Sequence, residues 1–229
     1  MHLTRTGKSM GAAFLVAAVL AAVTLAILGS GIPGTKAALR LTARWSYCLF
    51  LPAYAAGSLI AIFGSRFQPL AKRGRDLGLS FASAHLVHVS LVAWLYYISP
   101  RPPVGASSAV FFGVALVFTY VLALFSIPKL ASMLRPSVWR LLRTVGMEYI
   151  ALAFLTDFLQ NPFGHGLVNL GAYLPFVAAA FAAALLRLSA YAKRLLHTHG
   201  WLQLGGGGTE SPVRVGTIGT AAKDTQRRQ

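Results

Sequence analysis

Charged side chains are scarce in this chain, and acidic ones are the scarcest. Lys, Arg, Asp and Glu together make up 11% of its 229 residues, whereas soluble domains carry about 25%. Hydrophobic residues make up 56%, and the mean hydropathy is +0.63. This composition excludes an ordinary soluble domain and predicts an integral membrane protein.

The few acids leave a large excess of basic residues. Five Asp and Glu stand against 21 Lys and Arg, which gives a formal net charge of +16. The basic residues lie mostly between and after the apolar runs, and no nucleic-acid-binding module accompanies them. We therefore expect them to contact the anionic headgroups of the lipid bilayer, and we expect no nucleic-acid partner.

Cysteine and long polar segments are also nearly absent. Cys48 is the sole cysteine and lies inside an apolar run, so one chain can form neither a disulfide framework nor a cysteine metal site. Short loops with Pro and Gly, at 32–34, 99–103 and 161–164, leave no room for a soluble domain. The sequence has no phosphate-cradling loop and no flavin or nicotinamide motif. Any chemistry must therefore occur among the helices or on a partner.

Apolar runs long enough to cross a bilayer as helices are abundant. There are six, at about residues 10–28, 43–63, 77–98, 108–127, 138–159 and 171–188. The first is longer than a usual signal-peptide core and five others follow it, so we interpret it as a retained span. The sequence thus predicts an all-α fold, an integral membrane bundle of six transmembrane helices in residues 1–200. Residues 201–229 are predicted to be a flexible polar tail.

Basic residues are distributed unevenly between the two sides of these runs. On the N-terminal side of the membrane, the segments before the last run hold Arg5, Lys8, Arg66, Lys72, Arg73, Arg75, Lys129 and Arg135. The loops on the other side hold only Lys36, Arg40 and Arg101. Because cytoplasmic segments carry the excess of Lys and Arg, we expect both termini, with the tail, in the cytoplasm.

Two histidines lie in the middle of the third run. His85 and His88 are three residues apart, so their side chains share one side of a helix. They lie at a depth where polar groups are costly to hold. Histidine is a usual ligand of haem iron, and helical bundles build such sites in their cores. The alternative is a hydrogen bond from the imidazole to Ser, Thr or a backbone carbonyl of another helix.

The residues around these histidines resemble a known family. The segment LGLSFASAHLVH, residues 77–88, follows Arg73 and Arg75. It resembles the third helix of the ferric-reductase-like transmembrane domain family, in particular its bacterial haem-binding membrane subunits. The likeness covers most of residues 40–195 as a layout of six spans. It implies haem b with His88 as the axial metal ligand, a partner reductase or a quinone as electron donor or acceptor, and a multi-pass location in the bacterial inner membrane.

The fifth run departs from that family. There, a Trp-x-x-Leu-His pattern and a later histidine supply further haem ligands. Aligned on Trp139, these two positions hold Arg143 and Thr156, and the fifth run contains no histidine. Neither side chain is an ordinary haem ligand. The sequence therefore does not support a haem held by histidines of the third and fifth helices.

Three ways of binding a haem stay open. His88 binds the iron alone and leaves the sixth position open or to water. Alternatively, Met147 or Tyr149 of the fifth run is the second ligand, since both are known haem ligand types. The third is that His85 and His88 serve different cofactors, because two residues on one side of a helix cannot be opposite ligands of one iron.

Three ionisable residues of the fifth run, Arg143, Glu148 and Asp157, need a partner or water inside the bilayer. Arg143 and Glu148 are five residues apart, about 140° round a helix, so we do not expect them to pair with each other. One hypothesis is structural, with an ion pair to Arg140, Arg187 or a neighbouring helix. The other is functional: Arg143 binds a haem propionate or a quinone oxygen, and Glu148 relays protons or pairs with protonated His88.

Two functions of different classes follow. The first is a membrane b-type haem protein that passes electrons across or within the bilayer to or from a partner reductase. The alternative is a diverged non-haem membrane scaffold or assembly protein whose buried histidines are structural. The segment ending at His88 favours the first, and the missing histidines of the fifth run favour the second. Proton or ion transport through Glu148 is a third hypothesis.

Overall fold

The computed structural model describes residues 2–164 and 167–198; the predicted tail, residues 201–229, lies outside the described residues. The elements are α1 (His2–Leu28), α2 (Ile32–Phe63), a 3-10 turn (Gly64–Phe67), α3 (Gln68–Lys72), α4 (Gly74–Ile98), α5 (Ala106–Phe125), α6 (Pro128–Ala131), α7 (Pro136–Gly164) and α8 (Leu167–Thr198). No strand occurs in these ranges, so the all-α prediction is confirmed. The long helices belong to one compact unit that extends to Ala192, and the residues from Lys193 on belong to a second.

Five described segments are long and apolar enough to cross a membrane. They are Arg5–Leu28, Ile32–Lys72, Gly74–Ile98, Ala106–Phe125 and Gly171–Leu196. The membrane character predicted from composition is therefore confirmed. The remaining long helix, α7, which contains the fifth apolar run, is not among the five, and we attribute this to the charged side chains it carries at 140, 143, 148 and 157.

Two of the predicted loops are helical. The segment at 32–34 is the first turn of α2, where a proline is harmless because the first amide hydrogens of a helix have no partner within it. The segment at 161–164 is the last turn of α7. The tight connection from α1 to α2 rests instead on Gly29, whose φ of +79° suits glycine. Its carbonyl lies where a Cβ of Gly34 would be, so position 34 also requires glycine.

Small residues let α1, α2 and α4 pack closely. One side of α1 has an alanine at every fourth residue: Ala13, Ala17 and Ala21. These alanines are buried against Ala38 of α2 and Ala84 of α4. Close approach of this kind is how helices associate in lipid, where the solvent is as apolar as the side chains. Hydroxyl groups add hydrogen bonds between α1 and α4. Thr6 donates to Asp76 at 2.7 Å, and the hydroxyl oxygens of Ser9 and Ser80 lie 2.6 Å apart.

The core between α2, α4, α7 and α8 is aromatic. We call it the aromatic core; its rings are Tyr47, Phe50, Tyr54, Phe81, Phe154, Phe158 and Tyr173. Neighbouring rings in this group have centroids 5.0 to 6.5 Å apart, the spacing of favourable ring pairs. α5 packs on α7 beside this core, where Gly146 faces the side chains of Phe118 and Leu122. The aromatic core thus borders the histidines of α4.

Candidate functional site

The two histidines of α4 stack on each other inside the bundle. Their ring centroids are 5.0 Å apart and their planes differ by 16°. Phe81, one turn earlier on α4, lies 5.4 Å from the ring of His85 and extends the stack. Both imidazoles are half-buried. The two side chains therefore share one side of α4, as predicted, and their rings are in contact.

His88 binds α2 through a hydrogen bond with Thr42. Its Nδ1 lies 3.1 Å from the hydroxyl oxygen of Thr42. That hydroxyl has one hydrogen, and it donates to the carbonyl of Ala38 at 2.9 Å, with the carbonyl of Leu39 as a second acceptor at 3.2 Å. A carbonyl can only accept. The arrangement that satisfies every contact therefore has Nδ1–H of His88 donating to Thr42, which leaves the lone pair on Nε2.

His85 faces α7 rather than α2. The ring of Phe154 lies 6.3 Å from it in an edge arrangement, and Phe154 also lies 5.9 Å from Phe81. Among the described residues, the buried Nδ1 of His85 has no hydrogen-bond partner. An orphaned buried nitrogen costs free energy unless a water or a ligand reaches it. The contacts that the structure shows for His85 are therefore ring contacts, with Phe81, His88 and Phe154.

The relative directions of the helices set the depth of each residue. Tyr54 bonds Glu148 whereas Tyr47 contacts Phe158, so α2 and α7 run antiparallel. Thr42 pairs with His88 whereas Phe50 contacts Phe81, so α2 and α4 also run antiparallel. It follows that α4 and α7 run parallel. His88 lies at the level of Thr42 and Glu148 at the level of Tyr54, twelve residues lower on α2, which is about 18 Å along the bundle.

The structure does not bring the fifth-helix candidates to His88. Met147 and Tyr149 flank Glu148 and share its level. Met147 packs against the core cluster that contains the aromatic core. Tyr149 faces α5, where its ring lies 5.3 Å from Phe111 and its hydroxyl donates to the Phe111 carbonyl at 3.2 Å. Arg143 is exposed and lies one turn further from His88.

These positions decide how well the residues fit a haem between α4 and α7. Such a haem needs a slot beside His88 and a ligand or open space opposite it. Phe154 fills the space beside His85 with a ring, and neither Met147 nor Tyr149 lies opposite His88. The residues therefore do not fit a haem held by both helices. The arrangement that these residues still allow is a haem iron bound by Nε2 of His88 alone, with no second protein ligand.

Glu148 joins three helices at the other end of the aromatic core. Oε2 accepts a hydrogen bond from the Tyr54 hydroxyl of α2 at 2.6 Å, and Oε1 lies 2.6 Å from Nε of Arg187 on α8. Arg187 also donates to the Tyr54 carbonyl at 3.1 Å and lies over the Tyr54 ring, 4.4 Å from its centroid. Arg187 is thus the partner that Glu148 contacts among those that the structural hypothesis named. No contact joins Glu148 to His88, which lies too far away.

A further cavity of about 170 Å³ lies between α2, α7 and α8, and Glu148 lines one end of it. Its walls are mostly apolar and include Tyr47, Phe50, Leu155 and Ala183. The hydroxyl of Tyr47 is buried and has no hydrogen-bond partner among the described residues. The cavity therefore combines mostly apolar walls with the unpartnered Tyr47 hydroxyl and the ion-paired carboxylate of Glu148.

Sequence reasoning missed one charged residue of the interior. Arg44 of α2 lies with its guanidinium carbon 4.6 Å from the ring centroid of Tyr173 and 5.5 Å from that of Phe176, both on α8. A guanidinium over aromatic faces is stabilised by the ring quadrupoles. The sequence does place Arg44 inside the second apolar run, where a charged residue needs a partner. It lies at the start of that run, close to Lys36 and Arg40 of the preceding loop.

Comparisons of the chain with protein-family models, with curated proteins and with solved structures found no match. The described residues also contain no group of three or more His, Cys, Asp or Glu side chains placed to hold a metal ion. The site is therefore interpreted from its own contacts.

Proposed function

We propose that this chain is a non-haem membrane protein of the scaffold or assembly class, with six spans and structural histidines in α4. The observation that carries the proposal is the hydrogen bond from His88 to Thr42, which uses the imidazole to hold α4 against α2. The same use recurs elsewhere in the interior. Glu148 holds α7 to α2 and α8, and Asp76 holds α4 to α1.

Polar bonds of this kind suit a structural role in lipid. Apolar side chains gain little by leaving lipid for a helix interface, so packing and interhelical hydrogen bonds decide which helices associate. The hydrogen bond between Thr42 of α2 and His88 of α4 therefore determines which two helices pack together and how they are aligned along their length. In this proposal α7 also crosses the membrane, as the fifth of six spans, with its charges paired or near the ends. Both termini lie on the cytoplasmic side of a bacterial inner membrane.

A double-mutant cycle tests the structural role of His88. Thr42→Val removes the hydroxyl at nearly constant volume, and His88→Phe removes the donor while it keeps a ring beside His85. We expect the two changes to couple by about 0.5–1.5 kcal/mol in the free energy of unfolding in mixed micelles. The control pair is Thr119→Val with His88→Phe. Thr119 donates to the Ala115 carbonyl of its own helix, without contact to His88, and should show no coupling with it. No coupling between Thr42 and His88 would remove the basis of the proposal.

The second candidate is the membrane b-type haem protein that transfers electrons to or from a partner reductase. One observation favours it. The bond to Thr42 fixes the tautomer in which Nε2 of His88 keeps its lone pair, and bonds from the other ring nitrogen orient histidines that bind metals. The resemblance of residues 77–88 to the ferric-reductase-like family supports the same candidate. Its signature is an absorption band of bound haem that needs His88.

A further inference from the structure

We propose that the cavity between α2, α7 and α8 is a binding site for a small uncharged amphiphile, a one-ring molecule with a phenol-type oxygen. This inference is independent of the role of the histidines, because His85 and His88 do not line the cavity. The class of ligand follows from the volume of the cavity, from its walls and from the polar atoms at its ends.

The volume selects the size of the ligand. About 170 Å³ is close to the roughly 150 Å³ of a dry engineered cavity that binds benzene. A single aromatic ring with a small substituent therefore fits, whereas a second large ring does not. The rings of Tyr47 and Phe50 line the α2 side, and the small side chains of Ala180 and Ala183 leave the room on the α8 side.

The polar atoms select the oxygen. Tyr47 is 2% exposed, lines the cavity, and its hydroxyl has no hydrogen-bond partner among the described residues. A buried hydroxyl without a partner loses free energy that a ligand oxygen would restore. At the other end the carboxylate of Glu148 is already neutralised by Arg187, so the cavity presents no net charge to a ligand. An uncharged oxygen therefore suits the site better than an ionised group.

The neighbourhood of the cavity gives a ligand access from the bilayer. Leu152, which also lines the cavity, is 50% exposed, and Ala184 is exposed as well. These side chains lie on α7 and α8, and the surface of α8 is apolar enough to face lipid. Phenol-type molecules partition into membranes, so entry between α7 and α8 requires no aqueous path.

Binding is measured with 4-fluorophenol as the probe, by fluorine NMR of the full chain in detergent micelles. Partitioning into micelles is linear in probe concentration, so the saturable part of the signal reports the site. We expect wild type to show a saturable part. Tyr47→Phe is expected to weaken it about two- to tenfold, the effect of losing one net hydrogen bond. Tyr120→Phe is the matched control, because the buried hydroxyl of Tyr120 also has no partner within the part of the chain that the structure describes, but Tyr120 does not line the cavity.

A second variant separates loss of the site from loss of the fold. Ala183→Phe fills the cavity from α8, and we expect it to abolish the saturable part while Tyr120→Phe leaves it unchanged. If Ala183→Phe is not monodisperse, the smaller change Ala180→Leu serves the same purpose. A purely linear signal in wild type would overturn the proposal, whether lipid tails or water fill the cavity. A saturable signal that is equal in wild type, Tyr47→Phe and the filled variant would overturn it as well.

Discussion

Oε1 of Glu148 on α7 lies 2.6 Å from Nε of Arg187 on α8, and both side chains are half-buried. This pair joins the helix with the most interior charge to the last long helix. Removing one member leaves the other charged without its partner, which costs more than removing both. Solvent and headgroup exposure reduce the effect, so about 1–2 kcal/mol is expected for each single change.

The first prediction is that Glu148→Gln and Arg187→Gln are each destabilising, and that the double variant is less destabilised than the sum of the two. Glu148→Gln keeps an acceptor for the Tyr54 hydroxyl, and the contacts of Arg187 with Tyr54 are lost equally in Arg187→Gln and in the double variant, so the coupling between the two changes isolates the ion pair. Unfolding in mixed micelles of wild type, both single variants and the double variant gives the coupling. Strict additivity of the two changes in the free energy of unfolding would show that the ion pair does not stabilise the protein.

The second prediction concerns the alanine interface of α1. Ala17 is fully buried against α4, so Ala17→Leu should force the helices apart and cost about 1–3 kcal/mol. Ala12→Leu makes the same change on an exposed side of α1 and should leave stability within about 0.5 kcal/mol. Both values come from the same unfolding titration. Equal effects at the two positions would contradict the packing of α1 on α4.

The third prediction compares two glycines of long helices. A Cβ at Gly146 would lie 2.9 Å from Cδ1 of Leu122, whereas a Cβ at Gly113 would meet no atom within 4 Å. Alanine is the better helix former by about 1 kcal/mol in water. Gly113→Ala should therefore be neutral or slightly stabilising, and Gly146→Ala should be less favourable than Gly113→Ala in unfolding measurements. The reverse order would contradict the contact between α5 and α7.

The fourth prediction concerns the number of spans. If α7 crosses the membrane, the segment before it and its last residue, Gly164, lie on opposite sides. In a Cys48→Ser background, a membrane-impermeant maleimide added to intact cells should label Gly164→Cys and leave Arg135→Cys unlabelled until the membrane is opened. Equal labelling of the two positions in intact cells, whether both react or neither does, would show that α7 does not cross.

The sequence contains enough to predict the helices but not their partners. Apolar runs and their length locate the long helices, because the bilayer demands them. The ends of the helices were less predictable. Pro33 and Gly34 indicated a loop, yet proline is compatible with the first turn of a helix, and α2 begins there. The placement of His85 and His88 on one side of α4 followed from helical spacing alone, whereas the stacking of their rings was not predicted. Their partners Thr42 and Phe154 did not follow from the spacing either, because those contacts depend on how three helices pack.

The same limit applies to charged residues. Helical geometry correctly separated Glu148 from Arg143, and Arg187 was one of its predicted structural partners. Geometry within one helix could not show that Glu148 lies about 18 Å from His88, because that distance depends on the direction and depth of α2, α4 and α7. The cavity beside Tyr47 could likewise not be predicted from the sequence, because it is formed by small residues of α8 that face aromatic rings of α2.

The central claim, that the α4 histidines are structural, is tested most directly by absorption spectroscopy. The protein is purified in detergent from cells supplied with ample haem, and spectra are recorded oxidised and after dithionite reduction, beside His88→Phe. The structural role predicts monodisperse protein without a Soret band in either sample. A Soret band with reduced α and β bands in wild type, absent from His88→Phe, would contradict it and establish the haem protein instead.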